Sequence, residues 1–410
     1  MSVATAHPLG ENYEACTGCG ACAAKCPRDC IRLAPDAEGF LHPQIRLEDC
    51  VDCGLCREVC PVNAPLQQDG HPREPRQVLA AWHLDERIRR ESSSGGAFTA
   101  LAHAVFGQGG VVVGAAFDED LVVRHVLIDA PAQLHSLRGS KYVQSEIPPE
   151  LYRSIHDLLG RGRTVLFSGT PCQVAGLRRF LGAPSERLLC CDLVCKGVPS
   201  PLLLASYLRH NKDNGYRIAR ISFRDKTCGW KTPSVREHLD CGGSKISDFL
   251  SANPYTVAFV KNYSLRPACY ACRFTTTDRT GDLTIADFWG VGSRYPQYDR
   301  DDKGTSLILV NTETGQKWLD RCRERLFFGP ADLETALARN PMLWRPAPRP
   351  PRRGSFYKDL LDLPFSDLVR RYRLHPPSLW QRSLAAAKRK VKRMLRRFLK
   401  GLTQPERRAS

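Results

Sequence analysis

The 410-residue chain contains 60 Lys and Arg against 43 Asp and Glu, and 42% of its residues are hydrophobic. These values exclude a disordered or collagen-like chain, and the length allows roughly two to three domains. The formal net charge of +17 is concentrated, because residues 366–410 hold 14 Lys and Arg against two acidic residues. The basic character therefore belongs to a C-terminal tail, and we expect no nucleic-acid-binding body.

Eighteen cysteines are concentrated near positions 16–30, 50–60, 190–195 and 269–272. The first residues show neither the basic nor the apolar region of an export signal. The longest nearly apolar run, 109–117, is too short to span a bilayer. Clustered cysteines in such a chain are typical of metal or cluster ligands rather than disulfides. We therefore expect a cytoplasmic, thiol-reducing location.

Residues 1–70 contain the pattern C-x2-C-x2-C-x3-C-P twice, which is typical of ferredoxins with two [4Fe–4S] clusters. Three cysteines of one run bind one cluster, and the fourth reaches the other cluster. The first cluster is then expected on Cys16, Cys19, Cys22 and Cys60, and the second on Cys50, Cys53, Cys56 and Cys26. Structural zinc is the alternative, but zinc sites favour two separated cysteine pairs. Cys30 fits neither set and is expected to be a plain packing residue.

Residues 71–76 are predicted to form a linker, and residues 77–340 alternate short apolar runs with helical patterns. Strands are predicted at 111–117, 121–128, 164–167, 188–193, 218–223, 283–286 and 306–310, with a hairpin between the first two. Helices are predicted at 97–106, 151–160, 171–181, 201–211 and 313–326. This alternation predicts an α/β core with a mixed, partly parallel sheet. The proline-rich stretch 346–351 is expected to end the core.

Four further cysteines are placed where ligands collect in α/β proteins. Cys172 and Cys195 each follow a predicted strand, and strand ends of an α/β sheet are where ligands bind. Cys269 and Cys272 form a lone C-x-x-C, for which zinc, thiol redox chemistry and coincidence compete. The spacing leaves open whether the four thiols converge on a cluster or are separate buried cysteines.

Two loops rich in Ser, Gly and Thr precede helices, at residues 92–96 and 168–171. The backbone N–H groups of such a loop, together with the N-terminus of the helix, are able to bind a phosphate. Ser and Gly are also common helix caps, so each loop taken alone indicates a phosphate site only weakly.

The end of the chain has apolar side chains at helical spacing, at Val391, Met394, Leu395, Phe398, Leu399 and Leu402. The opposite face carries Lys388, Arg389, Lys390, Lys392, Arg393, Arg396, Arg397 and Lys400. This pattern predicts a basic amphipathic helix that binds an anionic membrane surface. A solvated tail, or a helix that packs on the body or on a partner protein, is the alternative.

Eight segments resemble, in the same order, one known family. They read RESSSGGAFTALA, LRGSKYVQS, VLFSGTPCQVAGLRRFL, VCKGVPSP, ISFRDK, ACYACRF, GDLTIADFWGV and GTSLILVN. The family is the beta subunit family of coenzyme F420 hydrogenases and dehydrogenases, in the form with a fused two-cluster ferredoxin domain. The resemblance covers residues 1–365 and predicts domains at 1–70 and 77–365, followed by the basic tail at 366–410.

The resemblance implies an iron–sulfur flavoprotein with FAD, and in several members hydride exchange with coenzyme F420. It makes Cys172, Cys195, Cys269 and Cys272 the ligands of a third [4Fe–4S] cluster. We expect the FAD phosphates or ring near Ser94, Gly95, Gly96, Lys141, Ser168, Gly169 and Thr170, with Asp287 and Trp289 capping the flavin. The alternatives are a solvated surface lysine at Lys141 and ordinary core packing at Trp289. Lys196 follows Cys195 in this chain, where family members commonly have a histidine, so a proton-handling role at this position is in doubt.

Clusters move one electron at a time, whereas organic acceptors usually take a hydride, and a flavin converts between the two. We therefore expect an FAD- and [4Fe–4S]-dependent oxidoreductase that works with ferredoxin and a two-electron acceptor such as coenzyme F420. The alternative is an electron-transfer subunit that feeds a partner oxidoreductase, since some bacterial relatives belong to surface-polysaccharide pathways. A structural protein held together by zinc is opposed by the two ferredoxin runs.

Overall fold

The computed structural model describes residues 8–63 and 74–375. In these ranges the strands are β1 (Ile31–Pro35), β2 (Leu41–Ile45), β3 (Gln77–His83), β4 (Val111–Phe117), β5 (Val123–Ile128), β6 (Val165–Gly169), β7 (Leu188–Leu193), β8 (Ile218–Asp225), β9 (Ser234–Leu239), β10 (Ser244–Asp248), β11 (Leu283–Asp287), β12 (Ser306–Val310) and β13 (Leu326–Ala331). The helices are α1 (Ala21–Lys25), α2 (Leu55–Glu58), α3 (Glu86–Glu91), α4 (Ala97–Phe106), α5 (Pro149–Gly160), α6 (Pro171–Leu181), α7 (Pro201–Asp213), α8 (Pro254–Val260), α9 (Glu313–Asp320), α10 (Leu333–Arg339), α11 (Arg353–Asp362) and α12 (Phe365–Arg371). Among these described helices, none is long and apolar enough to cross a bilayer.

The core is built on an eight-stranded sheet in the order β13-β3-β12-β11-β7-β6-β4-β5. Strands β4, β6, β7 and β11 run parallel to one another, whereas β5, β12 and β13 pair antiparallel with their neighbours. Strand β12 is buried along its whole length, as expected for a strand covered on both faces of the sheet. The predicted mixed α/β sheet is confirmed, and its parallel strands end at one common edge.

The predicted helix at 313–326 is too long. Helix α9 ends at Asp320, and the chain then forms β13, which begins at Leu326 and pairs antiparallel with β3. The pairing of β13 with β3 is a long-range contact that helical spacing alone does not reveal. Strand β3, which β13 flanks, was not predicted either.

A second apolar core lies around the three-stranded antiparallel sheet β10-β9-β8 and helices α7, α8, α11 and α12. Phe356, Leu368 and Leu374 are fully buried in it. The expectation that residues 346–351 end the core is therefore wrong, because the chain turns back after the prolines and packs again. Residues 376–410, with the predicted amphipathic helix, lie outside the described residues.

The N-terminal cysteine-rich segment packs on the large sheet through α1. Helix α1 follows Gly20, whose φ of 83° is readily accessible only to glycine, and lies against α5 and α6. Tyr152 of α5 donates a hydrogen bond to the carbonyl of Cys19 at 2.7 Å. Ala21 and Ala23 are buried in this contact, so the segment shares a core with the α/β domain.

Candidate iron–sulfur and flavin site

Cys172 lies in the first turn of α6, just after the carboxyl end of β6. The hydroxyl of Thr170 approaches the Sγ of Cys172 at 3.1 Å. Gln173 closes the turn, because its Oε1 accepts a hydrogen bond from the N–H of Thr170 at 2.9 Å. This capping arrangement fixes the start of the helix and with it the position of the Cys172 thiol.

The other three core cysteines reach the same place from different segments. Cys195 follows β7, and Cys269 lies in the 3-10 turn Pro267–Ala271, which Cys272 directly follows. Together with Cys172, these residues line one cavity of about 450 Å³. The structure thus brings together the four residues that the resemblance implied, although they lie far apart in the sequence.

Burial raises the pKa of the thiols around this cavity, to about 12 for Cys269 and to about 11 for Cys272. A negative charge on Cys172 would raise the pKa of Cys195, Cys269 and Cys272 further. Four adjacent thiolates are therefore unfavourable unless a cation lies among them. An iron–sulfur core supplies that charge, because its cysteine ligands bind as thiolates. The donor set fits a [4Fe–4S] cluster.

The predicted ligands of the first N-terminal cluster, Cys16, Cys19, Cys22 and Cys60, line a second and smaller cavity. Burial raises the pKa of Cys19 to about 12, and charges on Cys60 and Cys16 would raise it further. The N–H of Gly18 donates to the Sγ of Cys16 at 3.4 Å. Hydrogen bonds of this kind to cluster sulfurs are a feature of iron–sulfur sites.

The predicted second set is more exposed to solvent than the first. Cys53 is exposed, whereas Cys50 and Cys56 are partly buried. The Sγ of Cys26 is 3.3 Å from the Sγ of Cys30, which also interacts with Cys50. Cys30, expected to be unrelated to either set, therefore lies beside the second one. Among the described residues, no group of three or more His, Cys, Asp or Glu side chains is arranged to hold a single metal ion.

Helix α6 brings the first N-terminal cysteine set next to the core cysteine set. Cys172 and Gly176 lie one turn apart on the same face of this helix. A Cβ at Gly176 would lie 2.9 Å from the Sγ of Cys19, so the helix packs directly on that cysteine. Thr17 and Gly18 line both cavities, and Thr17 interacts with the Cys172 thiol.

The Ser/Gly loop before α4 lies at the edge where the parallel strands end, and its polar groups bond to the sheet. The hydroxyl of Ser94 donates to the carbonyl of Thr305 at 2.9 Å, and the N–H of Gly95 donates to the Ser306 hydroxyl at 2.9 Å. Gly96 has a φ of 93° and immediately precedes α4. These contacts hold the loop against the start of β12.

Replacing Gly95 by Ala is expected to destabilise the protein by about 1–3 kcal/mol, the usual cost of overpacking. A Cβ there would overlap the backbone of Ala81 and Ser306, neither of which can move without disturbing the sheet. Gly354→Ala is the control, because a Cβ at Gly354 has no neighbour within 4 Å. Thermal unfolding measures both variants, and equal melting temperatures would contradict the tight approach at Gly95.

The second predicted phosphate loop lies at the cysteine cavity instead. Its Thr170 lines the cavity, and the N–H of that residue already bonds to Gln173. Gly169 packs closely on Gln173, and the carbonyl of Ser168 accepts a hydrogen bond from His125 Nε2 at 3.1 Å. Strands β11 and β7 separate this loop from the loop before α4.

The Nζ of Lys141 donates to the backbone carbonyls of Ser136 and Arg138, both at 2.8 Å. Burial lowers the pKa of this lysine to about 7. Lys141 is thus not a solvated surface lysine, the alternative weighed from the sequence.

Asp287 and Trp289 belong to a group that we call the sheet-edge cluster, formed by Arg224, Trp230, Asp287 and Trp289. Arg224 makes a two-pronged ion pair with Asp287 at 2.6 and 3.2 Å, and the Trp230 indole N–H donates to Asp287 at 2.6 Å. Trp289 stacks on Trp230 with 4.8 Å between ring centroids, and the Arg224 guanidinium lies 5.2 Å from the Trp289 ring. The Asp287 carboxylate is therefore already paired with a cation.

Sequence patterns predicted no role for Arg224, Trp230 or Lys226. Arg224 and Lys226 lie in the segment ISFRDK, so the resemblance contained a signal for them. The Nζ of Lys226 donates to the carbonyls of Arg89 and Lys303 at 2.8 Å and also to that of Ser94. Burial lowers the pKa of Lys226 to about 7. Lys226 therefore ties the loop before α4 to the strand that carries Arg224.

Comparisons with known proteins give the families that this chain resembles. Residues 78–151 and 162–334 match the N-terminal and C-terminal profiles of the coenzyme F420 hydrogenase/dehydrogenase beta subunit, and residues 15–64 match a 4Fe-4S dicluster domain. One similar solved structure is from the F420-reducing [NiFe] hydrogenase complex of Methanosarcina barkeri. It is 16% identical, with a TM-score of 0.45, over 68% of this chain and 91% of that chain. No curated protein matches the sequence significantly.

The two beta-subunit profiles together span most of the α/β core, and the dicluster profile spans both ferredoxin runs. The match extends from the cysteine-rich segment to α10, and it includes all four cysteines of the core cavity. The chain therefore belongs to the coenzyme F420 hydrogenase/dehydrogenase beta subunit family and carries a 4Fe-4S domain on the N-terminal side of its core.

Proposed function

We propose that this chain is an oxidoreductase that passes electrons between three [4Fe–4S] clusters and FAD and exchanges a hydride with a two-electron acceptor such as coenzyme F420. The observation that carries the proposal is the cavity of about 450 Å³ lined by Cys172, Cys195, Cys269 and Cys272. This cavity adjoins the one lined by the first N-terminal set. Two neighbouring cluster sites of this kind form a route for electrons into the core.

In this proposal the N-terminal clusters are bound by the two predicted sets, with Cys60 and Cys26 as the exchanged fourth ligands. The core cluster is bound by the cysteines around the large cavity. The common core of the N-terminal segment and the α/β domain supports a fixed distance between these sites. Domains at 1–70 and 77–365 then form one electron-transfer unit.

FAD would bind along the edge where the parallel strands end, between the loop before α4 and the sheet-edge cluster. When bound, FAD accepts electrons singly and passes them on in pairs as a hydride. Lys226 and Lys141 donate to backbone carbonyls, and burial lowers the pKa of both to about 7, so bound FAD phosphates would favour their charged forms. Arg224 and Asp287 would hold the loop and the indole of Trp230 in place around it. The basic residues at this edge therefore complement the negative charge of the FAD phosphates.

The electron donor or acceptor on the cluster side would be ferredoxin or a partner oxidoreductase subunit. The family is named for beta subunits, and the similar solved structure is part of a hydrogenase complex. These names favour a second candidate function, that of a subunit that delivers electrons to a separate catalytic partner.

One experiment separates the two candidates. The full chain is reconstituted anaerobically with iron, sulfide and FAD, and is then mixed with reduced ferredoxin and coenzyme F420. The first proposal predicts bound flavin, its reduction by ferredoxin and the formation of reduced F420 by the chain alone. Flavin reduction without F420 turnover would favour the subunit function. A protein that holds clusters but binds no flavin would contradict both.

A further inference from the structure

Arg266 is a buried cation with no direct carboxylate partner among the described residues. Only 1% of its surface is exposed. Its Nε donates to the carbonyl of Cys16 at 2.6 Å, and its Nη2 contacts His42 Nε2 at 2.9 Å, while Nη1 has no hydrogen-bond partner. Asp36 contacts the same His42 nitrogen at 3.3 Å and makes no direct ion pair with Arg266. A guanidinium buried in this way is costly unless an anion lies close to it.

The two cysteine cavities beside Arg266 are where such an anion would lie. Arg266 lines the large cysteine cavity, and its Nη1 points at the place that a Cβ of Gly18 would occupy, at 2.9 Å. Gly18 has a φ of 70° and lines both cysteine cavities. The Arg266 guanidinium therefore lies between the first N-terminal cysteine set and the core set.

The position of Arg266 matters because the proposed clusters beside it are negatively charged. An oxidised [4Fe–4S] core carries two positive charges, so with four thiolates the site has a net charge of about 2−, and reduction by one electron makes it about 3−. A buried cation stabilises the more negative, reduced form, because a charge pair interacts strongly away from water. Net charge and hydrogen bonding are among the factors that set cluster potentials.

We propose that the first N-terminal cluster and the core cluster share Arg266 as a neighbouring buried cation, and that its charge raises the reduction potential of both. The inference rests on the proposed function, since it requires both clusters. Reduction of either cluster takes one electron from the external reductant and leaves Arg266 chemically unchanged. The shared cation would favour electron transfer between the two clusters by keeping both of them reducible by the same donor.

The test is a redox titration of the reconstituted full chain with dithionite, followed by the electron paramagnetic resonance of the reduced clusters. In Arg266→Gln the equilibrium constant for reduction is expected to fall at least tenfold at two of the three clusters, which is about 59 mV for a one-electron couple. The third cluster, on the Cys26 set, should be unchanged. Arg266→Lys keeps the charge and should lie between the wild type and the Gln variant.

Gln144→Glu tests the same charge without removing Arg266. Gln144 Oε1 accepts a hydrogen bond from the N–H of Leu41 at 2.9 Å, whereas its unpaired Nε2 points at the same place beside Gly18 as the Arg266 Nη1. A glutamate keeps the shape and the bond to Leu41, and it puts a carboxylate beside the guanidinium. The potentials of the same two clusters should fall, even if Arg266→Gln does not assemble its clusters.

Arg89→Gln is the matched control. Arg89 is buried and loses the same charge, but it pairs with Asp301 at 2.8 Å and lines neither cysteine cavity. The cluster potentials of Arg89→Gln should equal those of the wild type. Unchanged potentials in iron-loaded Gln144→Glu would overturn the role of Arg266 and leave the proposed function intact. A wild-type chain that assembles no core cluster would overturn the proposed function itself.

Discussion

Replacing Cys269 by Ser is expected to lower the iron content of the reconstituted protein from about twelve to about eight atoms per chain, because one of three four-iron clusters is lost. Cys269 faces the same cavity as Cys172, Cys195 and Cys272, so its loss leaves three ligands at that site. The N-terminal sets keep all their cysteines. Reduction of bound flavin by ferredoxin should stop as well, because in the proposed route the core cluster would lie between the N-terminal clusters and the FAD. Iron and sulfide analysis with rapid-mixing absorbance measures both effects.

Cys241→Ser is the control for this substitution. Cys241 is exposed on the turn after β9 and lines neither cysteine cavity, so this variant should keep about twelve iron atoms, as three [4Fe–4S] clusters require. A Cys269→Ser protein with undiminished iron would show that the core cysteines are not cluster ligands. Loss of all iron would show instead that the three sites assemble only together.

Replacing Arg224 by Gln is expected to weaken FAD binding by roughly tenfold or more, since an unpaired carboxylate close to an anion costs on the order of 1–4 kcal/mol. Arg224 pairs with Asp287 and contacts the carbonyl of Ser93 at 3.5 Å. Without the guanidinium, the Asp287 carboxylate would be left unpaired beside the proposed FAD site. The loop that contains Ser93 would also lose one of its attachments. Fluorescence titration of the flavin-free protein with FAD gives the two dissociation constants.

Arg236→Gln controls for the loss of a charge on the same small sheet. Arg236 pairs with Asp225 at 2.7 Å on the neighbouring strand, and among the described residues it forms no hydrogen bond or ion pair with the sheet-edge cluster. Its affinity for FAD should equal that of the wild type. Equal affinities for the Arg224 and Arg236 variants would place the flavin away from the sheet-edge cluster.

The sequence alone was sufficient for features that depend on local spacing. The cysteine runs of the ferredoxin segment predict their own ligand sets, because ligands two or three residues apart wrap one cluster corner. The start of α6 is equally local, since Thr170, Pro171 and Gln173 form the cap within four residues. Strand β7 and helix α4 likewise have the predicted bounds.

Features that depend on contacts between distant segments were decided only by the tertiary structure. Helical spacing at 313–326 did not reveal that the helix ends at Asp320 and that β13 begins at Leu326, because β13 forms by pairing with β3. The packing of α11 and α12 after the prolines depends in the same way on apolar surface offered by α7 and α8. Local patterns report the periodicity of one segment and carry no information about the surface that it will cover.

The candidate site shows the same division. The sequence by itself determined the two ferredoxin-type cysteine runs, because residue type and spacing are local properties, but its spacing left the role of the four core cysteines open. Only the tertiary structure decided that Cys172, Cys195, Cys269 and Cys272 share one cavity and that Arg266 lies between this cavity and the ferredoxin segment. A buried guanidinium without a carboxylate leaves no mark in a sequence, since its cost arises from the absence of water and of a partner in the folded chain.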